Sequence, residues 1–380
     1  MRESFLPLAK PSITDVEVSS VSEVLKSGHL TTGPKVTEFE SGMCGYIGRG
    51  THAVALNSCT AGLHLSLVAL GIGKGDEVIV PTWTFAATGH VVLWTGAKVV
   101  LCDVEEETLN IDAEKAASLI TPRTKAIMPV HFGGYPCDMD GIDTLARRHR
   151  LHVVEDAAHA AGALYRGRKI GDSKNVAVFS FYATKNLTCG EGGMAVSRNG
   201  AVIEKIRKLS YFGISKEAFS RYEKRGNWYY EIEGLGYKYN MDSIHAAIGL
   251  VQLKRLDTMN KRRRQIAALY RKNFDRRIRL PVDDPENYHI YHLFPVRVNR
   301  SIIPRDVFIR ELKERNIGTS VHFMPLHKHP FYKRIARGRS FPVSDSAYEE
   351  IVSIPMFPDM SDEDVFFVIK SVNEILRKKG

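Results

Sequence analysis

The chain has 380 residues, of which 44% are hydrophobic and 25% are charged, and its formal net charge is +10. These proportions are ordinary for a globular protein, and the length allows one large domain and a smaller one. The positive balance is typical of solvated basic helix faces or of a site that attracts a phosphate-bearing ligand. No nucleic-acid-binding motif accompanies it, so we expect no nucleic acid as a partner.

The five cysteines are widely scattered, and no CxxC pair occurs among them. That pattern indicates a reducing cytoplasm and argues against both a disulfide framework and a zinc site. The first residues lack the apolar core of a signal peptide, and the most apolar long stretch, residues 91–104, is interrupted by Gly96 and Lys98. We therefore expect a cytoplasmic protein without membrane insertion.

The N-terminal part begins with a helical pattern over residues 13–27. The segment Gly28-His-Leu-Thr31-Thr-Gly33-Pro34 then interrupts the helix. This polar loop, bounded by glycines, either closes over a ligand or only connects two elements.

From residue 52 to residue 156, strand patterns and helix patterns alternate. Such alternation predicts a mostly parallel sheet with helices on both faces. In sheets of this kind, ligands bind beyond the carboxyl ends of the strands. The predicted strands cover residues 52–58, 76–81, 98–104, 125–131 and 152–156, and the predicted helices cover 60–70, 85–95, 113–120 and 142–149.

Two apolar strands end beside charged side chains. Residues 153–156 end in Asp156, and residues 176–181 lead to Lys185. Taken alone, Lys185 would be a solvated loop lysine, as most lysines are. Pyridoxal phosphate, however, requires a lysine that bonds to it covalently and an acid that keeps its pyridine nitrogen protonated. The combination of Lys185 with Asp156 therefore predicts a pyridoxal phosphate site.

A strand-to-helix turn at residues 57–61 is rich in small residues. Its backbone N–H groups, together with the hydroxyls of Ser58 and Thr60, make an anion site at a helix N-terminus. The alternative is that one hydroxyl only caps the helix. Ser180, on the strand that leads to Lys185, is a further candidate phosphate ligand.

Aromatic side chains near these strand ends are candidates for ring contacts. Trp83 and Phe85 follow a strand, and we expect Trp83 in the core and not against a ligand. His159 lies close after the acidic strand end and could stack on or hydrogen-bond a cofactor, although a lone histidine is more often structural. No metal site is expected, because the remaining histidines near the motifs match no short zinc pattern: His131, His322 and His327.

The second part of the chain begins with a long helical pattern over residues 242–273. We place the domain boundary within it, which gives a large domain at residues 1–250 and a small C-terminal α/β domain at residues 251–380. In the small domain the sequence predicts strands at 289–298 and 320–323 and helices at 305–315 and 363–377.

Together these motifs resemble the DegT/DnrJ/EryC1/StrS family of pyridoxal phosphate-dependent nucleotide-sugar aminotransferases. The likeness runs from the loop at residues 28–33 to the closing helix. It implies an α/β subunit of fold-type I, like aspartate aminotransferase, with a large, mostly parallel sheet domain and a smaller C-terminal domain. It also implies a homodimer with shared active sites.

The family's site residues carry over by position. Lys185 resembles the lysine that binds the cofactor, and Asp156 resembles the acid that pairs with the pyridine nitrogen. Phe85 resembles the aromatic that stacks on the ring, and His159 stands near the ring oxygen, where many members have glutamine. Asn240, in Gly236-Tyr-Lys-Tyr-Asn240, resembles the residue that reaches the phosphate of the neighbouring subunit's cofactor. The phosphate-binding turn corresponds to Ser58, Thr60 and Ala61, with Ser180 beside it.

The resemblance implies amino transfer from L-glutamate, which leaves as 2-oxoglutarate, to a 4-keto nucleotide sugar. Segments such as residues 31–34 and 357–360 resemble members that aminate a UDP-4-keto-pentose for lipid A modification. Tyr182 departs from those members and resembles enzymes that act on UDP-, GDP- or dTDP-4-keto-6-deoxyhexoses for other cell-surface polysaccharides. The implied substrate contacts are Thr31, Tyr182, His322 and His327.

Two other functions remain open at this point. A pyridoxamine-dependent sugar dehydratase of the same fold is expected to have a histidine in place of the cofactor-binding lysine, so Lys185 argues against it. A non-enzymatic regulator that kept the fold would bind no cofactor and would be colourless.

Overall fold

A computed structural model describes residues 4–214 and 229–379. The strands that it describes before residue 200 include every strand predicted there, each within a few residues of its predicted ends. Their bounds are β1 His52–Leu56, β2 Glu77–Pro81, β3 Lys98–Cys102, β4 Thr124–Ile127, β5 His152–Asp156, β6 Leu164–Tyr165, β7 Arg168–Lys169, β8 Val176–Ser180 and β9 Gly193–Ser197.

A central sheet organises the large domain. In the described part of the chain it has seven strands, in the order β1-β9-β8-β5-β4-β2-β3. The pairs β2–β3, β2–β4, β4–β5 and β5–β8 are parallel, whereas β9 runs antiparallel to both of its neighbours. The predicted mostly parallel sheet is therefore confirmed, and the carboxyl ends of five adjacent strands share one edge.

Helices cover both faces of this sheet, because successive strand residues point to opposite sides. Val78 and Val80 of β2 belong to one buried core, whereas Ile79 between them belongs to the other. The helices of this part are α1 Asp15–Ser27, α2 Pro34–Ile47, α3 Cys59–Ala69, α4 Ala86–Trp94, α5 Ala113–Ser118, α6 Met139–His149, α7 Gly200–Ser210 and α8 Ser243–Asn273.

The first helix shows how local sequence sets the element ends. Thr14 and Glu17 form a reciprocal capping box at the start of α1, and Gly28 ends the helix with a φ of 74°. The helix predicted at residues 13–27 is confirmed. The loop that follows is tied to the start of α8, because Ser243 Oγ donates to the carbonyl of Thr31 and Thr32 Oγ1 donates to the carbonyl of Met241.

A second antiparallel sheet, in the order β10-β12-β13, forms the small domain with helices packed on it. The N-terminal segment joins this domain, since Leu6 bridges to Ile317 and lies in its core. The remaining elements are β10 Ile278–Arg279, β11 Asn287–Tyr288, β12 Phe294–Val298, α9 Arg305–Glu314, α10 Pro330–Lys333, α11 Pro342–Glu350, β13 Ile351–Ile354 and α12 Asp362–Lys379.

The predicted extents of two strands in the small domain are wrong. Residues 289–293 are not part of a strand, because their backbone bonds to the turn at Gly133 and Gly134 of the large domain. The strand predicted at residues 320–323 is reduced to one bridge, in which Ser320 and Ser353 exchange backbone hydrogen bonds. Both segments leave the sheet and approach the carboxyl edge of the central sheet.

Helix α8 continues through residue 250, where we placed the domain boundary, so that boundary stays a prediction. Within the described ranges 4–214 and 229–379, no helix has the combined length and hydrophobicity that crossing a membrane requires.

A buried arginine links α8 to the small domain by hydrogen bonds. Arg263 is 2% exposed, and its Nη1 donates to the carbonyls of Met356 at 2.7 Å, His292 at 3.4 Å and Tyr291 at 3.5 Å. Burial lowers the pKa of its guanidinium to about 10, so the group keeps its charge at neutral pH. The carbonyls depend on this one donor group in the interior.

Arg263→Met should lower the free energy of unfolding by about 2–4 kcal/mol, because buried carbonyls lose their donor. The control is Lys370→Met, since the Lys370 side chain is 75% exposed and its ion pair with Glu374 spans 4.0 Å. That variant should lose less than about 1 kcal/mol. Urea unfolding followed by circular dichroism measures both, and equal losses would contradict this assignment.

Candidate functional site

A cavity of about 520 Å³ lies at the carboxyl edge of the central sheet. Its floor comes from residues that follow β1, β2, β4, β5 and β8, and its roof comes from the small domain. The N-terminal segment contributes Leu8 and Ala9. The sequence-predicted residues that line it are Ser58, Thr60, Phe85, Asp156, His159, Ser180, Tyr182, Lys185 and His322.

Lys185 lies in the turn after β8, where its backbone N–H donates to the carbonyl of Tyr182 at 2.9 Å. Its side chain lines the cavity. Removal from water lowers the pKa of its ammonium group to about 8, although the carboxylate of Asp156 acts in the opposite direction. A lysine with such a pKa can exchange a proton near neutral pH, which an ordinary surface lysine does poorly.

Asp156 is the last residue of β5 and is 6% exposed. The backbone N–H of Ala158 donates to its Oδ1 at 3.1 Å, and the hydroxyl of Thr88 donates to its Oδ2 at 2.8 Å. Burial raises the pKa of this carboxyl, whereas the two donors and nearby Lys185 oppose that rise. Strands β5 and β8 are parallel neighbours, and Lys185 lies five residues beyond the end of β8, so both side chains reach the cavity at the same edge of the sheet.

The first turn of α3 forms the anion-binding end of the cavity. Ser58 caps this helix, and its Oγ accepts from the N–H of Ala61 at 3.1 Å. Cys59 and Thr60 are the first two residues of α3, so their N–H groups have no acceptor within the helix. In the described part of the chain they have no other acceptor either. The capping and anion-binding interpretations of this turn are therefore compatible.

Glycine at position 193 allows this turn to sit close to β9. A Cβ added there would lie 2.4 Å from Cys59 N and 2.6 Å from Ser58 O. These distances are too short for any side chain at this position. Ser180, 7% exposed, lines the same cavity from the end of β8. Hydroxyl groups and N–H groups thus line this end of the cavity, as a phosphate requires.

His159 is held in one neutral tautomer. Its Nδ1 accepts from the backbone N–H of Gly133 at 3.3 Å, so the proton of the neutral ring resides on Nε2. Desolvation, reinforced by nearby Lys185, keeps the pKa of this imidazole well below its usual value. The ring lies 4.3 Å from that of His292 and stacks on Phe323 at 6.0 Å between centroids.

The small domain adds His322 to the cavity wall. Its Nδ1 lies 2.9 Å from Ser353 Oγ, and burial together with Lys185 lowers the pKa of the ring to about 4. Tyr182, 48% exposed, and Phe85, 64% exposed, stand at the cavity mouth. Trp83 is fully buried in contact with Phe132, which confirms its prediction as a core residue.

Four predicted site residues do not line this cavity: Ala61, Thr31, Asn240 and His327. The ring of His327 bonds to Thr82 Oγ1 at 2.7 Å and to Asp345 at 3.0 Å, so both of its nitrogens are engaged elsewhere.

Thr31 and Asn240 also make contacts outside the cavity. Thr31 has an exposed side chain and contributes its carbonyl to Ser243. Asn240 donates to Thr32 Oγ1 at 2.6 Å and accepts from Lys238. The expectation that Asn240 reaches a neighbouring subunit stays a prediction.

Several cavity residues escaped the sequence reasoning. Thr84, just before α4, lines the cavity, and Thr88 in the first turn of α4 is buried next to it, with the two hydroxyl oxygens 2.7 Å apart. No sequence pattern marks these two threonines, because a buried threonine gives no signal until its partner is known. His292 and Phe323 lie more than 100 residues after Lys185, so no local pattern identifies them as cavity residues, whereas Glu191 lies only six residues after Lys185, in a glycine-rich turn.

Metal ligands were also sought in the structure. Across residues 4–214 and 229–379, no three His, Cys, Asp or Glu side chains are grouped so that they could hold a metal ion.

In the cofactor-free protein, Lys185 should react with an acylating reagent with a midpoint near pH 8. The folded pKa lies below that of an unfolded lysine, about 10.4. The unfolded chain therefore binds more protons between these values, and the contribution of Lys185 to the free energy of unfolding rises with pH across that range. Mass spectrometry after labelling at graded pH measures the midpoint, with exposed lysines of the same sample as the reference.

Asp156→Asn should move that midpoint to lower pH, because the variant removes the carboxylate that favours the ammonium form. A Lys185 profile that coincides with the exposed lysines in the unmodified protein would contradict the buried environment described above.

Comparison with known proteins gives a consistent result over nearly the whole chain. The family model of the DegT/DnrJ/EryC1/StrS aminotransferase family matches residues 11–373. The uncharacterized protein MJ1066 of Methanocaldococcus jannaschii is 49% identical over 382 residues, covering 99% of each chain. The spore coat polysaccharide biosynthesis protein SpsC of Bacillus subtilis is 47% identical over 383 residues, covering 99% of this chain and 98% of its own.

Solved structures agree with these relatives. The putative sugar aminotransferase Spr1654 of Streptococcus pneumoniae, in its pyridoxal phosphate form, superposes with a TM-score of 0.91 at 31% identity, covering 99% of this chain and 100% of its own. Its pyridoxamine phosphate form gives the same TM-score. The chain belongs to the DegT/DnrJ/EryC1/StrS aminotransferase family.

Proposed function

We propose that this protein transfers an amino group from L-glutamate to the 4-keto group of a nucleotide-linked sugar, with pyridoxal phosphate as its cofactor. The observation that carries the proposal is the presence of Lys185 and Asp156 in one cavity, at the ends of two adjacent parallel strands. The family is that of pyridoxal phosphate-dependent aminotransferases, and the substrate is the part that the proposal adds.

The cavity residues fit this cofactor. The first turn of α3 offers the N–H groups of Cys59 and Thr60 for its phosphate, with the Ser180 hydroxyl nearby. Asp156 would face the pyridine nitrogen, and Lys185 would bond to the reactive carbon C4′. When bound, the cofactor supplies an electron sink that stabilises negative charge next to the reacting carbon.

Lys185 performs the proton transfers in this mechanism. With the cofactor bound, its amine would take the proton from Cα of the donor and deliver a proton at C4′. With a pKa of about 8, roughly a tenth of the free amine is unprotonated at pH 7. Both the base form and the acid form are therefore accessible at neutral pH.

The surrounding residues orient the ring and keep water away. Neutral His159 has its Nε2 proton available as a donor, because Gly133 fixes the tautomer. Apolar side chains from the small domain, among them Phe323 and Met356, enclose the reacting atoms. A dry, preorganised site strengthens the contact between Asp156 and the ring nitrogen.

The substrate class rests on three supports. The net charge of +10 favours a substrate that carries a diphosphate. The relatives are named for sugar amination and for spore coat polysaccharide biosynthesis. The resemblance of the sequence adds a UDP-4-keto-pentose or a UDP-, GDP- or dTDP-4-keto-6-deoxyhexose as the substrate, for a cell-surface polysaccharide or lipid A.

The proposal also includes a cytoplasmic homodimer, in which the half-buried segment around Asn240 reaches the neighbouring chain's cavity. All five cysteines are unpaired, as in a reducing compartment. Lys185 in the cavity disfavours the sugar dehydratase alternative, and the cofactor dependence of the family disfavours a regulator that binds none.

Lys185→Ala should abolish turnover and the absorbance of the lysine-bound cofactor. Asp156→Asn should lower kcat by at least about 100-fold, because a neutral partner no longer keeps the ring nitrogen protonated. Lys370→Ala, whose side chain is 75% exposed, is the control and should retain full activity. Steady-state kinetics and absorbance spectra measure all three, and turnover by Lys185→Ala would refute the mechanism.

The sugar is tested separately by incubating the purified protein with L-glutamate and a panel of UDP-, GDP- and dTDP-4-keto sugars, followed by mass spectrometry. We expect one nucleotide sugar to be aminated and 2-oxoglutarate to form in equal amount. Loss of the glutamate amino group without amination of any sugar in the panel would contradict the proposed substrate class.

A further inference from the structure

We propose that Thr88 and Thr84 form a hydroxyl relay that holds Asp156 in its ionised form and in a fixed orientation toward the cofactor ring. Thr88 is thus a positioning residue for the reaction. The inference rests on the cofactor part of the proposed function and does not depend on the identity of the sugar.

The relay is a chain of short contacts in a dry part of the structure. Thr88 Oγ1 donates to Asp156 Oδ2 at 2.8 Å, and Thr84 Oγ1 lies 2.7 Å from Thr88 Oγ1. Thr88 is fully buried and Thr84 is 2% exposed. Thr88 lies in the first turn of α4, and Thr84 lies two residues before the helix begins at Ala86, where the entering chain brings its hydroxyl next to that of Thr88.

Counting protons fixes the direction of the relay. Each threonine hydroxyl has one proton. The proton of Thr88 is directed to Asp156, so the contact between the two threonines must use the proton of Thr84. Every donation in the chain therefore runs toward the carboxylate, which is the arrangement that stabilises an ionised aspartate.

The protonated form of Asp156 would require the opposite arrangement. A proton on Oδ2 would be donated to Thr88, whose own proton would then turn to Thr84. The proton of Thr84 would in turn point into the cavity, which Thr84 lines. Ionised Asp156 thus leaves Thr84 Oγ1 as an acceptor toward any bound molecule, and protonated Asp156 makes it a donor.

Burial makes the relay necessary. Desolvation raises the pKa of Asp156, and the Thr88 hydrogen bond is the first of the influences that oppose this rise. The titratable groups that act on Asp156 from neighbouring elements are Lys185, His131 and Cys59. A carboxylate without its hydroxyl donor at this place would be more easily protonated, and a neutral acid holds a pyridinium nitrogen poorly.

The test uses Thr88→Val, which keeps the side-chain shape and removes the hydroxyl. We expect the dissociation constant for pyridoxal phosphate to rise about 10- to 100-fold, as for the loss of one hydrogen bond to a charged group. In the cofactor-free protein, carbon-13 NMR of the Asp156 carboxyl should show a raised pKa. Thr88→Ser keeps the hydroxyl and should restore both values to within about 3-fold of the unmodified protein.

Thr82→Val is the matched control, because Thr82 is equally buried in the same segment but its hydroxyl bonds to His327. It should leave the affinity for pyridoxal phosphate and the Asp156 carboxyl signal unchanged. A Thr88→Val protein with unchanged cofactor affinity and an unchanged Asp156 pKa would overturn the relay, whatever its thermal stability.

If Thr88→Val does not fold, Thr84→Val serves instead. It leaves the bond between Thr88 and Asp156 in place and removes the donor behind it, so we expect the pKa of the Asp156 carboxyl in the cofactor-free protein to rise above that of the unmodified protein. An Asp156 pKa equal to that of the unmodified protein would overturn the relay. These measurements use neither a sugar nor an amino donor. A negative sugar assay therefore does not affect the test of the relay, and a negative test of the relay does not affect the sugar assay.

Discussion

The structure depends on placing one lysine and one carboxylate in a shared cavity and removing both from water. Strands β5 and β8 are adjacent and parallel, so Asp156 at the end of β5 and the turn after β8 that carries Lys185 lie at one edge of the sheet. Burial moves the pKa of Lys185 down and that of Asp156 up, and each charge opposes the shift of the other. The chemistry requires both shifts to stay moderate, because Lys185 must exchange protons while Asp156 must remain ionised.

Much of the remaining architecture serves this balance. Donors to Asp156 come from its own strand end and from α4, and the first turn of α3 supplies the phosphate end of the cavity. The small domain and the N-terminal segment then cover the opening with His322, Met356 and Leu8. The segment that carries Leu8 is tied by backbone bonds to residues 316, 318 and 356 of the small domain, so the cover is built as one unit.

The central sheet was predictable from the sequence because it rests on local patterns. The strand at residues 152–156 was predicted with its observed bounds, and Trp83 was placed in the core. Lys185 and Asp156 were predicted as a pair from the ends of two apolar strands, and the resemblance to a family added their roles. Tertiary contacts decided the remainder: His327 is occupied by Thr82 and Asp345, and residues 289–293 leave their predicted strand to bond with the large domain. Thr88 was missed because a buried threonine in a helix gives no signal until its partner is known.

A crystal structure of the protein grown with pyridoxal phosphate, without a sugar, tests the central claim most directly. The account predicts continuous density from Lys185 Nζ to C4′ of the cofactor, with a carboxylate oxygen of Asp156 within hydrogen-bond distance of the ring nitrogen and the phosphate at the first turn of α3. A cofactor bonded to another lysine, or a ring nitrogen that faces away from Asp156, would contradict it.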